Sequence, residues 1–314
     1  MSDAGQTNVI ILILATAVTA GTPILYAALG ELLAERSGVM NLGVEGMMLI
    51  GAVCGFIAAI SFKNPWAGVA AALLAGGAVS LIHAFLTVTL KTNQVVSGLA
   101  LTIFGSGLSG YIGKNYIGIP LATPIVSKPL GILGDIPFLG PVFFNHDPLV
   151  YITYLLVPAL WVLIYRTRAG MHLRAVGENP SAADSLGVKV SLSRYLYVVS
   201  GGMLAGLGGA YLSLAYAPSW LENMTAGRGW IAVALVIFAI WNPLRAMLGA
   251  YIFGGIDALG LRLQVLGVMI PPFFLQMMPY LFTILVLVVV IGRKGSSRLG
   301  SPGALGVPFD REER

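Results

Sequence analysis

VIILILATAVTAGTPILYAALG, residues 9–30, runs without a single charged side chain. At 1.5 Å of rise per residue it is long enough, as a helix, to cross about 30 Å of hydrocarbon. Inside a bilayer each backbone N–H and C=O must find a partner within the chain, and for a single segment only the helix provides one. Similar runs recur outward from this one. The approximate spans are 8–30, 39–60, 67–90, 94–112, 149–166, 194–216, 228–243, 246–266 and 273–291. Hydrophobic residues make up 57% of the 314 and charged ones 10%, against about 25% charged in soluble domains. The expected fold class is therefore all-α: a polytopic transmembrane helical bundle of about eight to ten spans, nine as drawn, with no soluble domain. One membrane domain, 1–296, precedes a tail, 297–314, whose Gly, Pro, Ser and charged residues predict no fixed structure. No Lys or Arg precedes Arg36, so the first run reads as a retained span and not a cleavable signal.

Charge sets the expected orientation. Arg166, Arg168, Arg174, Lys189 and Arg194 crowd one connection, and Arg293, Lys294 and Arg298 begin the tail. The 113–148 connection carries Lys114 and Lys128, offset by Asp135 and Asp147. The positive-inside tendency then places 166–194 and the tail in the cytoplasm, with 113–148 and the N-terminus outside. The same distribution argues against a nucleic-acid partner, because the basic residues sit where topology needs them. The apolar stretch 228–266 is broken only at Asn242-Pro243-Leu244-Arg245, which reads as a tight cytoplasmic turn.

Within the basic connection lies a polar island, RAVGENPSAADSLGVK, residues 174–189. Asn179 can cap a helix, Pro180 suits its first position, and Ser181 to Leu186 fill roughly two turns before Gly187 ends them. A chain that only embeds itself has little use for such an island; one that takes a push from a soluble partner needs it.

Several motifs fail on context. Gly105 to Gly110 matches G-x-G-x-x-G but lies in an apolar span. No G-x-x-x-x-G-K-[ST] occurs, so no P-loop for ATP is expected here. His83, His146 and His172 lack metal-ligand spacing, Cys54 has no second cysteine to pair with, and no nucleophile–base pair stands out. Catalytic, cofactor and metal residues are accordingly expected to be none. Polar groups at membrane depth remain. Glu31, Glu35 and Arg36 fall between the first two spans, where Arg36 can neutralise one carboxylate. Asn41 and Glu45, four residues apart, are expected on one face of the second helix. Glu45 reads either as a hydrogen-bond hub or as a pathway residue. Asn93, Gln94 and Ser97 open the fourth span, Asn93 as a cap sharing a face with Ser97. Both patches lie on the expected cytoplasmic side, as candidates for an inner vestibule or gate. Glycine clusters at 201–202, 206, 208–209, 249, 254–255 and 260 allow close helix approach.

The run GELLAERSGVMNLGVEGMMLIGA (30–52) closely resembles the signature of permease subunits in bacterial ABC importers. The branch is that of the branched-chain amino acid, ribose and nucleoside permeases, and within it the nucleoside or "simple sugar" permeases. NQVVSGLA (93–100), RAVGENPSAADSLG (174–187), the glycine-rich 195–212 and Trp241-Asn242-Pro243 before Gly249-Ala250 continue the match over most of the chain. Arg245 departs from it, where glycine is expected. The resemblance implies half of a translocation pathway for nucleosides or related small polar solutes in the bacterial plasma (inner) membrane. It implies a cytoplasmic ABC ATPase holding ATP and Mg, a second permease subunit and an extracytoplasmic solute-binding protein as partners. It also makes the island a coupling helix, with Glu178, Asn179, Pro180, Ala182, Ala183, Asp184 and Gly187 at the ATPase. Simple sugars or branched-chain amino acids are the alternative cargoes, and a stand-alone secondary transporter or channel the alternative class.

Overall fold

The computed structural model describes residues 3–265 and 300–311, together with Phe274, Met277, Met278, Tyr280, Leu281, Ile284, Leu285 and Val288. Its helices are α1 (Asp3–Arg36), α2 (Val44–Phe62), α3 (Pro65–Ala84), α4 (Gln94–Gly113), α5 (Pro148–Arg166), α6 (Arg168–Glu178), α7 (Pro180–Ser185), α8 (Val190–Tyr211), α9 (Arg228–Phe238) and α10 (Pro243–Val265). Several starts are set by side chains that accept the free N–H groups of a first turn. Asn64 accepts from Trp66, Asn93 from Val95 and Val96, Asp147 from Leu149 and Val150, and Asn179 from Ala182. Proline follows three of these caps directly, at the position where its missing N–H costs nothing.

α8 is the axis of the bundle. α1, α2 and α3 pack around it through glycines, because no side chain fits between the backbones. A Cβ on Gly51 would collide with the Gly206 backbone, one on Gly30 with Gly201, and one on Gly76 with Gly202. On the α8 side, Gly209 lies against Met48 and Gly208 against Pro23. Lipid tails are as apolar as leucine, so this close packing is what holds membrane helices together.

Six helical segments among the described residues are long and apolar enough to cross a membrane: 9–36, 44–62, 65–89, 94–116, 148–166 and 190–216. They correspond to the first six expected spans. The seventh differs. α9 has 11 residues, about 16 Å of helix, roughly half a crossing. A non-helical return, 217–227, leads into it, and Ile240 and Trp241 end it with positive φ. α10 has 23 residues, which carry Arg245, Asp257 and Arg262. The expected span 273–291 lies outside the described residues apart from the eight named above. Two further expectations are corrected. Asn41 precedes α2, so it shares no helical face with Glu45. Residues 300–311, expected to lack structure, pack on the helix ends, with Pro302 and Ala304 buried.

Gly206→Val tests the axis. A Cβ on Gly206 would collide with the Ala72 carbonyl oxygen and stand 3.0 Å from the Gly76 Cα, so the added side chain has no space. We expect a loss of about 3 kcal/mol, the upper end of overpacking effects, seen as a lowered unfolding temperature of the detergent-solubilised protein. An unaltered temperature contradicts the packing.

Candidate functional site

Two constructions share the face where α1 ends and α8 begins, here the basic face. The first is the island. Thr167 caps α6 at Gly170 N, and Asn179 ends α6 while capping α7 through Ala182 N at 3.0 Å. Pro180 takes the first helical position, and Gly187 closes the helix at φ +83. Ser181, Ala182, Ser185 and Leu186 face outward, whereas Ala183 is buried against Val176 and Val190. Glu178 is exposed, and Asp184 is bound by Arg311 Nε at 3.0 Å. The seven expected coupling residues thus lie together, but Asp184 already has a cation from its own chain.

The second is a hairpin, 37–43, that turns back from the end of α1 before α2 starts. Its backbone is buried and not helical, so side chains must complete it. Asn41 N donates to Glu31 Oε1 (2.9 Å), Met40 N to Gln94 Oε1 (2.7 Å), and Gly43 N to Asn41 Oδ1 (3.0 Å). The Met40 carbonyl lies 3.0 Å from His83 Nε2, whose Nδ1 is 3.0 Å from Ser97 Oγ. Thr102 Oγ1 donates to the Leu42 carbonyl at 2.8 Å. Gln94 and Ser97 are thereby brought to the hairpin. Asn93 stays exposed, at the cap of α4.

Glu45 sits one turn further on and holds a different segment. Its Oε1 accepts Thr225 Oγ1 (2.5 Å) and Gly227 N (2.9 Å), and its Oε2 accepts Gly229 N (2.7 Å). A carboxylate at the N-terminus of α9 satisfies free N–H groups and favours the helix dipole. Glu35 accepts Trp241 Nε1 at 2.5 Å. Arg36 donates to the Trp241 carbonyl and the Tyr165 hydroxyl, both at 3.2 Å. The expected pairing of Arg36 with Glu31 or Glu35 is thus replaced by bonds that tie α1 to the turn after α9.

Three features escaped the sequence reading. His83 joins Ser97 to the hairpin across long separation, and Arg228 pairs with Asp257 at 3.3 Å. The tail crosses the basic face. On the opposite face Asp147 caps α5 and accepts the Tyr211 hydroxyl at 3.0 Å. Burial pushes its carboxyl above the usual range, against the lowering effect of that hydroxyl and of backbone N–H groups.

The family model described as "Branched-chain amino acid transport system / permease component" matches residues 13–292. A Haloferax volcanii protein named "Putative glucose ABC transporter permease protein TsgC13" is 44% identical, over 94% of this chain and 96% of its own. The guanosine ABC transporter permease protein NupQ of Bacillus subtilis is 35% identical over 97% and 98%. The nucleoside ABC transporter permease protein NupC of Lactococcus lactis is 34% identical over 91% and 94%.

Glu45→Ala leaves the buried Gly229 N–H and Thr225 hydroxyl, and the half-buried Gly227 N–H, without their acceptor, and each buried orphan costs about 1–3 kcal/mol. We expect a lower unfolding temperature together with lost uptake. A parental unfolding temperature with lost uptake assigns Glu45 to the transport pathway instead.

Proposed function

We propose, from the fact that this chain belongs to the branched-chain amino acid transport system permease component family, that it imports nucleosides or related small polar solutes at the expense of ATP hydrolysed elsewhere. The chain is a multi-pass membrane permease subunit of an ABC transporter. In our reading it forms half of the pore beside a second permease subunit. A cytoplasmic ABC ATPase carries ATP and Mg, and an extracytoplasmic binding protein delivers the cargo. The basic face is cytoplasmic in this reading, with Arg36, Lys91, Arg174, Arg194 and Arg311 there. The C-terminus then lies inside and the N-terminus outside, in the plasma membrane.

The observation that carries this reading is α7. A capped, six-residue helix stands on the basic face with Ser181, Ala182, Ser185 and Leu186 turned outward. That face is small and free of long charged side chains, so another protein's groove can close over it. Closure of the ATPase on ATP would push α7, and through it the ends of α6 and α8. Asn179, Pro180 and Gly187 fix the helix, Ala182 and Ala183 allow close approach, and Glu178 and Asp184 complete its acidic border. Asn41, Glu45, Gln94 and Ser97 then hold the inner end of the pathway, with Asn93 at its rim.

A second cargo reading has its own support. The relative named for glucose is more identical to this chain than the two named for nucleosides. Selectivity in such a system is a difference of affinities, so the cognate binding protein is the place to measure it. Titrating that protein with guanosine, adenosine and glucose decides between the two: tight binding of a nucleoside alone supports the first cargo, and of glucose alone the second.

The ATPase partnership is tested by Pro180→Gly with Asp184→Arg. We expect co-purification of the ATPase and ATP-dependent uptake each to fall at least about tenfold, equivalent to ~1.4 kcal/mol of docking free energy. Undiminished association and uptake would defeat the assignment, and uptake without any ATPase would point to a stand-alone transporter.

A further inference from the structure

Residues 300–311 form a strap across the basic face. Ala304 N donates to the Gly177 carbonyl at 2.9 Å, and Gly303 N to Glu178 Oε2 at 3.4 Å, at the end of α6. Gly306 N donates to the Gly38 carbonyl in the hairpin at 3.3 Å. Arg194 of α8, itself buried, bridges the two segments: Nη1 donates to the Val307 carbonyl and Nε to the Ser37 carbonyl, both at 3.2 Å. Gly38 is positioned for this crossing. Its φ is +86, and an added Cβ would stand 3.2 Å from the Ala304 carbonyl oxygen.

The far end of the strap grips the island. Phe309 packs against the small apolar cluster of Val176, Ala183 and Val190, to which α6, α7 and α8 each give one residue. Asp310 pairs with Lys91 beyond the end of α3 (2.5 Å), and Arg311 pairs with Asp184 of α7 (3.0 Å). Both ion pairs are partly exposed and individually weak. The apolar contact of Phe309 and the backbone bonds carry the attachment.

α7 needs such an attachment. Of its six residues only Ala183 is buried, and a helix so short is not stable by itself. Apart from the strap it is held by its peptide links, the Asn179 cap and the Ala183 contact with Val176 and Val190. The strap adds a second tether, and that tether ends on Gly38, two residues before the Met40 that Gln94 and His83 hold.

We propose that residues 300–311 are a positioning segment for transport, with Phe309, Asp310 and Arg311 fixing α7 and the strap passing its displacement to the 37–43 hairpin. This rests on α7 being the ATPase's docking helix. The strap touches neither the outward face of α7 nor the cargo; it sets how much of the push reaches the pathway.

The test uses the complete importer, both permease subunits with ATPase and binding protein, in proteoliposomes. The readout is cargo taken up per ATP hydrolysed. Deleting 300–311 is expected to lower that ratio about tenfold, within the usual range of coupling between sites, while the ATPase still co-purifies. A ratio within about twofold of the parent overturns the proposal. If the shortened chain fails to assemble, Phe309→Asp and Phe309→Leu decide. A fall for Asp with a near-parental ratio for Leu supports the strap, and near-parental ratios for both overturn it. Failure of the docking reading shows elsewhere, as ATPase that still co-purifies with the Pro180→Gly, Asp184→Arg chain.

Discussion

The structure depends on satisfying buried backbone that is not helical. Two segments, 37–43 and 217–227, interrupt the helices, and the N–H and C=O groups they bury must find partners within the protein. Four polar side chains supply what is missing. Glu31 and Gln94 accept from Asn41 and Met40, His83 meets the Met40 carbonyl, and Glu45 collects Thr225, Gly227 and Gly229. These residues are costly to bury and are kept by the geometry they complete. Each segment is fixed by a few directed bonds, whereas α1, α2, α3 and α8 are held by close glycine packing.

That division suggests how force reaches the pathway. Backbone contacts at Gly30–Gly201 and Gly51–Gly206 leave no slack between α8 and its neighbours. If α7 takes the push, as proposed above, α8 can pass it to α1, α2 and α3, while the strap is the link that reaches the hairpin. Trp241 links the far end of α9 to Glu35 and Arg36, so the half-length helix is bound to α1 at its last turn and to α2 at its first.

Much of this was legible in the residues. Asn64-Pro65, Asp147-Pro148 and Asn179-Pro180 announce helix starts because the cap and the proline act within one turn. The first six spans follow from length and apolarity. The seventh did not, because the apolar run 228–243 does not show that its helix ends after 11 residues, nor that the start of that helix is held by Glu45, 180 residues before Thr225. Asn41 was placed on a helix face because Asn41 and Glu45 fit the period, although Gly43 starts the helix only afterwards. The strap read as unstructured because its bonds use backbone N–H groups of Gly303, Ala304 and Gly306, to which composition is blind. Arg36 was given to a neighbouring carboxylate on proximity in sequence, whereas the Trp241 carbonyl reaches it across 205 positions.

The account stands or falls on what touches α7. With Cys54 replaced by serine, a single cysteine at Ser181 on the outward face of α7 and a short thiol–amine cross-linker read that contact in membranes containing the complete importer. The account predicts a covalent adduct between this chain and the ATPase from position 181, altered in yield when ATP closes the ATPase, and none from a cysteine at Tyr111 near the opposite face. An assembled importer that gives no ATPase adduct from position 181, or gives one equally from position 111, contradicts it.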